Sequence, residues 1–96
     1  MSPLNKKKLT SLRSKLDKLD NQLLKIIKKR SILVNQVLKI KVYKKEIIDQ
    51  KRIDFILKKI KKKSIELKVD PKITNRIWKN MIWSFIDYEN RNFKKK

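Results

Sequence analysis

Apolar residues recur along the first forty positions at Leu9, Leu12, Leu16, Leu19, Leu23, Ile26, Leu33, Val37 and Ile40, in steps of three and four broken only at Arg30. That spacing keeps one stripe on one side of an α-helix and predicts a first helix from about Lys8 to about Val42. At 1.5 Å per residue such a helix is roughly 50 Å long, whereas a compact chain of this size has a radius of gyration of only about 12–13 Å. The stripe therefore needs cover that one chain does not supply. A second copy of the chain is the expected source.

The stripe lapses at Tyr43-Lys44-Lys45-Glu46, which predicts a turn. A second helix follows from about Ile48 to about Leu67, with Ile53, Ile56, Leu57 and Ile60 on its buried side. Asp70-Pro71 is a start signal, because aspartate caps free N–H groups and proline fits the first turn, where its missing donor is not needed. The third helix then carries Ile73, Ile77, Met81 and Phe85 at steps of four, flanked by Trp78 and Ile82. The chain has no glycine, and its two prolines, Pro3 and Pro71, leave the span between them without strong breakers. The expectation is an all-α fold of three helices, one long and two shorter. It forms a single domain over residues 1–96, with flexible basic tails at about 1–8 and 93–96.

Composition narrows the chemistry. With 96 residues the core of one chain is thin, which again points to a partner. Cysteine and histidine are both absent, so disulfides, thiolate metal sites and the commonest general base are excluded, and no metal is expected. The N-terminus lacks the apolar run of a signal peptide and no stretch has the length of a bilayer span, so a cytoplasmic protein without membrane contact is expected. Lys plus Arg number 29 against 9 Asp plus Glu, and the resulting net charge of +20 attracts anions of any class. Runs such as Lys61-Lys62-Lys63 read as solvated faces.

A few charges stand where a seam should be apolar. Arg30 occupies the slot between Ile26 and Leu33, and a buried guanidinium is costly unless its head reaches solvent or an anion meets it. Lys41 follows by eleven residues, about three helical turns and 16 Å, on nearly the same side. Asp49 and Arg52, spaced i, i+3, share a face leading into Ile53 and Ile56. Glu89 follows Phe85 by four and so carries a carboxyl along the apolar stripe of the third helix.

Read together, the run from Leu12-Arg13 through Leu16-Asp17, Leu19-Asp20 and Leu23-Leu24, then Arg30, Val37 and Lys41, closely resembles the first helix of the all-helical type II chorismate mutases. The likeness continues through Asp49-Gln50-Lys51-Arg52, similar to the family's Asp-x-x-Arg, and into Val69-Asp70-Pro71, covering about Leu9 to Glu89. It implies conversion of chorismate to prephenate in phenylalanine and tyrosine biosynthesis, without a cofactor, in an intertwined homodimer. It further implies that Arg13, Arg30, Lys41, Asp49, Arg52 and Glu89 bind the substrate, with Lys41, Glu89 and Arg30 acting in catalysis and Arg13 supplied in trans. The geometry agrees on that last point: Arg13 and Arg30, seventeen residues apart on one helix, are about 25 Å from each other and do not reach one small molecule together.

The sequence departs from the family in three places. Ile53 stands where glutamate usually follows the Asp-x-x-Arg arginine, Glu89 where many relatives have glutamine, and Phe85 where serine is often found. Isochorismate-pyruvate lyases of the same fold also carry an apolar residue at the place of Ile53, but they lack the aspartate that this chain has at Asp49, which favours the mutase. A basic helical nucleic-acid-binding protein is the alternative from another class. Only the charge supports it, no groove-reading signature accompanies it, and carboxylates such as Asp49 and Glu89 repel phosphate, so nucleic acid is not the expected partner.

Overall fold

The structure is a computed structural model that describes residues 1–94; Lys95 and Lys96, part of the expected C-terminal tail, lie outside the described residues. Among the described residues it holds three α-helices, α1 (Pro3–Ile40), α2 (Gln50–Glu66) and α3 (Pro71–Asn92), one 3-10 turn at Lys44–Glu46, and no strand. The all-α expectation of one long and two shorter helices is met. The chain divides into two compact units, Met1–Leu33 and Val34–Lys96.

The first unit is helical from Pro3 onward. The helix begins about five residues before the Lys8 expected from the apolar stripe. The reason is local chemistry rather than packing. Ser2 Oγ accepts from Asn5 N–H at 3.1 Å and Pro3 occupies the first helical position, a start signal that the periodicity of leucines does not register. The apolar stripe of this unit is uncovered in the single chain, with Leu12, Leu16, Leu19, Leu23 and Ile26 each 53–59 % exposed.

The second unit contains the end of α1 with α2 and α3. Its core is Leu38, Ile47, Ile53, Ile82 and Ile86, with Ile56, Leu57 and Phe93 packed against it. The α2 face follows the expected residues. The α3 face does not: Ile73 and Ile77, expected inside, are exposed, and the buried positions are Ile82, Ile86 and Glu89. Those three fall at steps of four and three, so the face turned to the core is rotated from the Ile73-Ile77-Met81-Phe85 line. One chain buries the second line, whereas on the first it leaves Ile73 and Ile77 exposed and Met81 and Phe85 half-buried.

Caps set the ends. Asp49 has extended backbone, and its Oδ1 accepts from Arg52 N–H at 3.1 Å, so α2 starts at Gln50. Asp70 starts α3 in the same way, with Oδ1 accepting from Lys72 N–H at 2.9 Å and Pro71 following, as the sequence predicts. Between these helices Lys68 adopts the left-handed conformation with φ 59°, Lys68 N–H donates to Ile65 O, and Val69 N–H donates to Ser64 O at 2.8 Å. This Schellman closure is ordinarily made by glycine, and here a lysine makes it. The buried Ser64 hydroxyl lies 2.7 Å from Thr74 Oγ1 and ties α2 to α3 just beyond the turn.

Candidate functional site

In the second unit, Lys41 follows the last residue of α1 and Glu89 sits near the end of α3 on its buried face. The Lys41 ammonium donates to both carboxylate oxygens, at 3.3 Å to Oε1 and 3.2 Å to Oε2. The two side chains are 17 % and 7 % exposed, so this is a largely desolvated ion pair rather than a surface contact. An isolated charge at either position would be costly, and each is there because the other is. Lys41 reaches this position because α1 stops one residue earlier and its own N–H still bonds to Val37 O and Leu38 O, which anchors the backbone to the core at Leu38.

Beside the pair lies an open cleft of about 460 Å³ lined by Lys41, Glu46, Ile48, Asp49, Gln50 and Lys51. Two short-range closures shape it. Tyr43 N–H donates to Glu46 Oε1 at 3.1 Å while Glu46 N–H donates to Tyr43 O at 3.0 Å, so the turn is held at both ends by one residue pair. Asp49 closes the other side through its cap on α2. The lining carries two ammonium groups and two carboxylates, a set suited to a small molecule with both anionic and hydroxyl groups.

Of the six residues expected from the sequence, the structure therefore brings Lys41 and Glu89 into direct contact and puts Asp49 on the cleft that Lys41 also lines. Arg52 is exposed, and its guanidinium lies over the Phe55 ring, 5.4 Å from the centroid. Arg13 and Arg30 belong to the first unit, where Arg13 is exposed and Arg30 partly buried. The helix is unbroken from Arg13 to Arg30, seventeen positions on, so the separation of about 25 Å holds. Ile53, the apolar residue at a usual glutamate position, is one of the core residues. Sequence reasoning missed Glu46, Gln50 and Lys51 as cleft residues. Glu46 was legible only as part of a turn, and its spacing of three from Tyr43, the reach of a reciprocal cap, was the available signal.

The family model of chorismate mutase type II matches residues 12–90. The chain belongs to that family. No curated protein and no solved structure matches the chain. The match spans every element that holds the residues above, from the Leu12-Arg13 opening to Glu89, and the all-α architecture is the one expected of a type II chorismate mutase domain. Among the described residues no helix is long and apolar enough to cross a membrane, and no group of acidic side chains is gathered to hold a metal ion.

Proposed function

We propose that this protein is a chorismate mutase acting as a homodimer in aromatic amino acid biosynthesis in the cytoplasm, each pocket completed by Arg13 of the partner subunit. The observation that carries the reading is the desolvated Lys41–Glu89 pair at the end of an apolar helix face, next to a cleft that Asp49 also lines. The family membership supplies the substrate class.

The rearrangement of chorismate needs no nucleophile and no obligatory proton transfer, which suits a chain without histidine or cysteine. The protein has to hold a dicarboxylate in a compact chair and to stabilise negative charge growing on the ether oxygen. Arg30 and Arg13 of the partner subunit take the carboxylates, Lys41 and Glu89 address the ether oxygen, with the Lys41 ammonium as the donor, Asp49 accepts from the ring hydroxyl, and Arg52 adds positive charge. A dimer is supported by the apolar residues that one chain leaves uncovered, Leu12, Leu16, Leu19, Leu23 and Ile26 on α1 and Ile73 and Ile77 on α3.

A second reading, isochorismate-pyruvate lyase activity, is favoured by one feature: Ile53 is apolar and built into the core, so it offers no acceptor to a substrate hydroxyl. The deciding experiment follows loss of chorismate and of isochorismate in parallel assays with purified protein. Consumption of chorismate with formation of prephenate is the expected result. Preferential release of pyruvate from isochorismate would assign the lyase instead, and loss of neither would overturn both.

A further inference from the structure

The cleft beside Lys41 carries two carboxylates, and an anionic substrate ought to be repelled by both. Of these, Asp49 has a purpose independent of any ligand. Its Oδ1 caps α2, and its charge is offset by the N-terminal end of a 17-residue helix. Glu46 has no helix N-terminus to offset it, only the Lys41 and Lys51 ammonium groups of the same lining. It ends a 3-10 turn of three residues, too short to present a helix dipole, and it is exposed on the cleft lining. Its Oε1 is committed to Tyr43 N–H at 3.1 Å. Among the described residues no partner meets its Oε2, so one oxygen fixes the carboxylate and the other remains to accept. Toward a ligand lacking a donor, that second oxygen is a source of repulsion. Toward a ligand that places a hydroxyl there, it is a charge-assisted acceptor.

We propose that Glu46 is a substrate-binding residue that selects for the ring hydroxyl, accepting from it beside Asp49 and rejecting dicarboxylates that lack it. The assignment rests on the chorismate mutase reading above and deepens it by naming the residue that reads the hydroxyl. Discrimination arises from both signs of the interaction: an accepted donor when the hydroxyl is present, and unrelieved carboxylate repulsion when it is absent. Because the cleft is open to water, the effect is that of a partly solvated hydrogen bond, not of a sealed pocket.

The test compares kcat/KM for chorismate with that for the analogue in which the ring hydroxyl is replaced by hydrogen, using the full-length protein and its Glu46→Gln variant. The glutamine keeps an oxygen for Tyr43 N–H, so the turn is preserved while the charged acceptor is lost. Melting temperature, read in parallel, reports on the turn. The expected result is a fall of roughly fivefold to tenfold on chorismate, the size of one net hydrogen bond, with the analogue unchanged or improved. Equal losses on both substrates would make Glu46 a structural residue of the turn and overturn the proposal, as would no change on either. Wild-type protein that converts neither compound would remove the mutase reading and this proposal with it, an outcome distinct from an active enzyme whose discrimination ignores Glu46.

Discussion

The Lys41 ammonium holds both oxygens of the Glu89 carboxylate within 3.3 Å across 48 residues of sequence, joining the residue after α1 to the buried face of α3. Each group satisfies the other in the absence of substrate. The arrangement keeps two charges desolvated at a point where a substrate oxygen is proposed to arrive, and removing one partner strands the other.

Lys41→Ala is therefore expected to lower turnover of chorismate by about 10²–10³-fold, the usual cost of losing one donor to developing charge. It should also destabilise the fold by about 1–3 kcal/mol, because Glu89 is left without its partner. Steady-state kinetics and urea denaturation measure the two separately. Near-normal turnover in a destabilised variant would make the pair structural and remove Lys41 from the site.

Glu89 offers a test by isosteric replacement. A neutral carboxylic acid donates to an ether oxygen, whereas the carboxylate only accepts and opposes negative charge forming there. Glu89→Gln, which puts a donor amide in place of the carboxylate, should therefore keep or raise turnover of chorismate in steady-state kinetics. An inactive glutamine variant that keeps its helicity contradicts a place for this side chain at the ether oxygen.

The proposed assembly makes a prediction that single-site kinetics does not. Mixed dimers of Arg13→Ala and Arg30→Ala chains should regain one working pocket of two, since one pocket receives both intact arginines. Each parent homodimer should stay inactive. Sedimentation over a dilution series supplies the independent check, and a stable helical monomer at micromolar concentration would sink the shared pocket.

Lys68 offers a test of the fold alone. Its φ of 59° crowds Cβ against the backbone, a strain that glycine lacks. Lys68→Gly should stabilise the protein by about 1 kcal/mol, visible as a higher melting temperature with unchanged activity, and Lys68→Val should do the reverse. Equal melting temperatures for the three proteins would show that the turn bears no such strain.

The helices were legible because their apolar residues repeat with the helical period, and the α3 start was legible because Asp70 and Pro71 carry capping chemistry in their side chains. The same chemistry at Ser2 and Pro3 lay outside the apolar stripe, so a reading led by periodicity passed over it. The core face of α3 was misjudged for a different reason. Ile73 and Ile77 lie on one line and Ile82 and Ile86 on another, and sequence does not say which line its own chain covers. Within the site, Glu89 was legible as a charge on an apolar face, and the structure supplied its partner. Glu46 was not, because its place on the cleft depends on a hydrogen bond from the backbone of Tyr43 rather than on any pattern of side chains.

The bare stripe of α1 has an electrostatic corollary. Lys15 flanks the stripe of Leu12, Leu16, Leu19, Leu23 and Ile26, and Lys18, Lys25, Lys28 and Lys29 lie on the other faces of the same helix, so two chains approaching through their leucines each carry a strongly cationic rod. In the proposed dimer the two chains, each at +20, repel one another at long range and so oppose the apolar contact. Ionic strength then acts in an unusual direction. Added salt shortens the reach of that repulsion and is expected to tighten the proposed dimer, whereas it would loosen any grip of the same lysines on a polyanion.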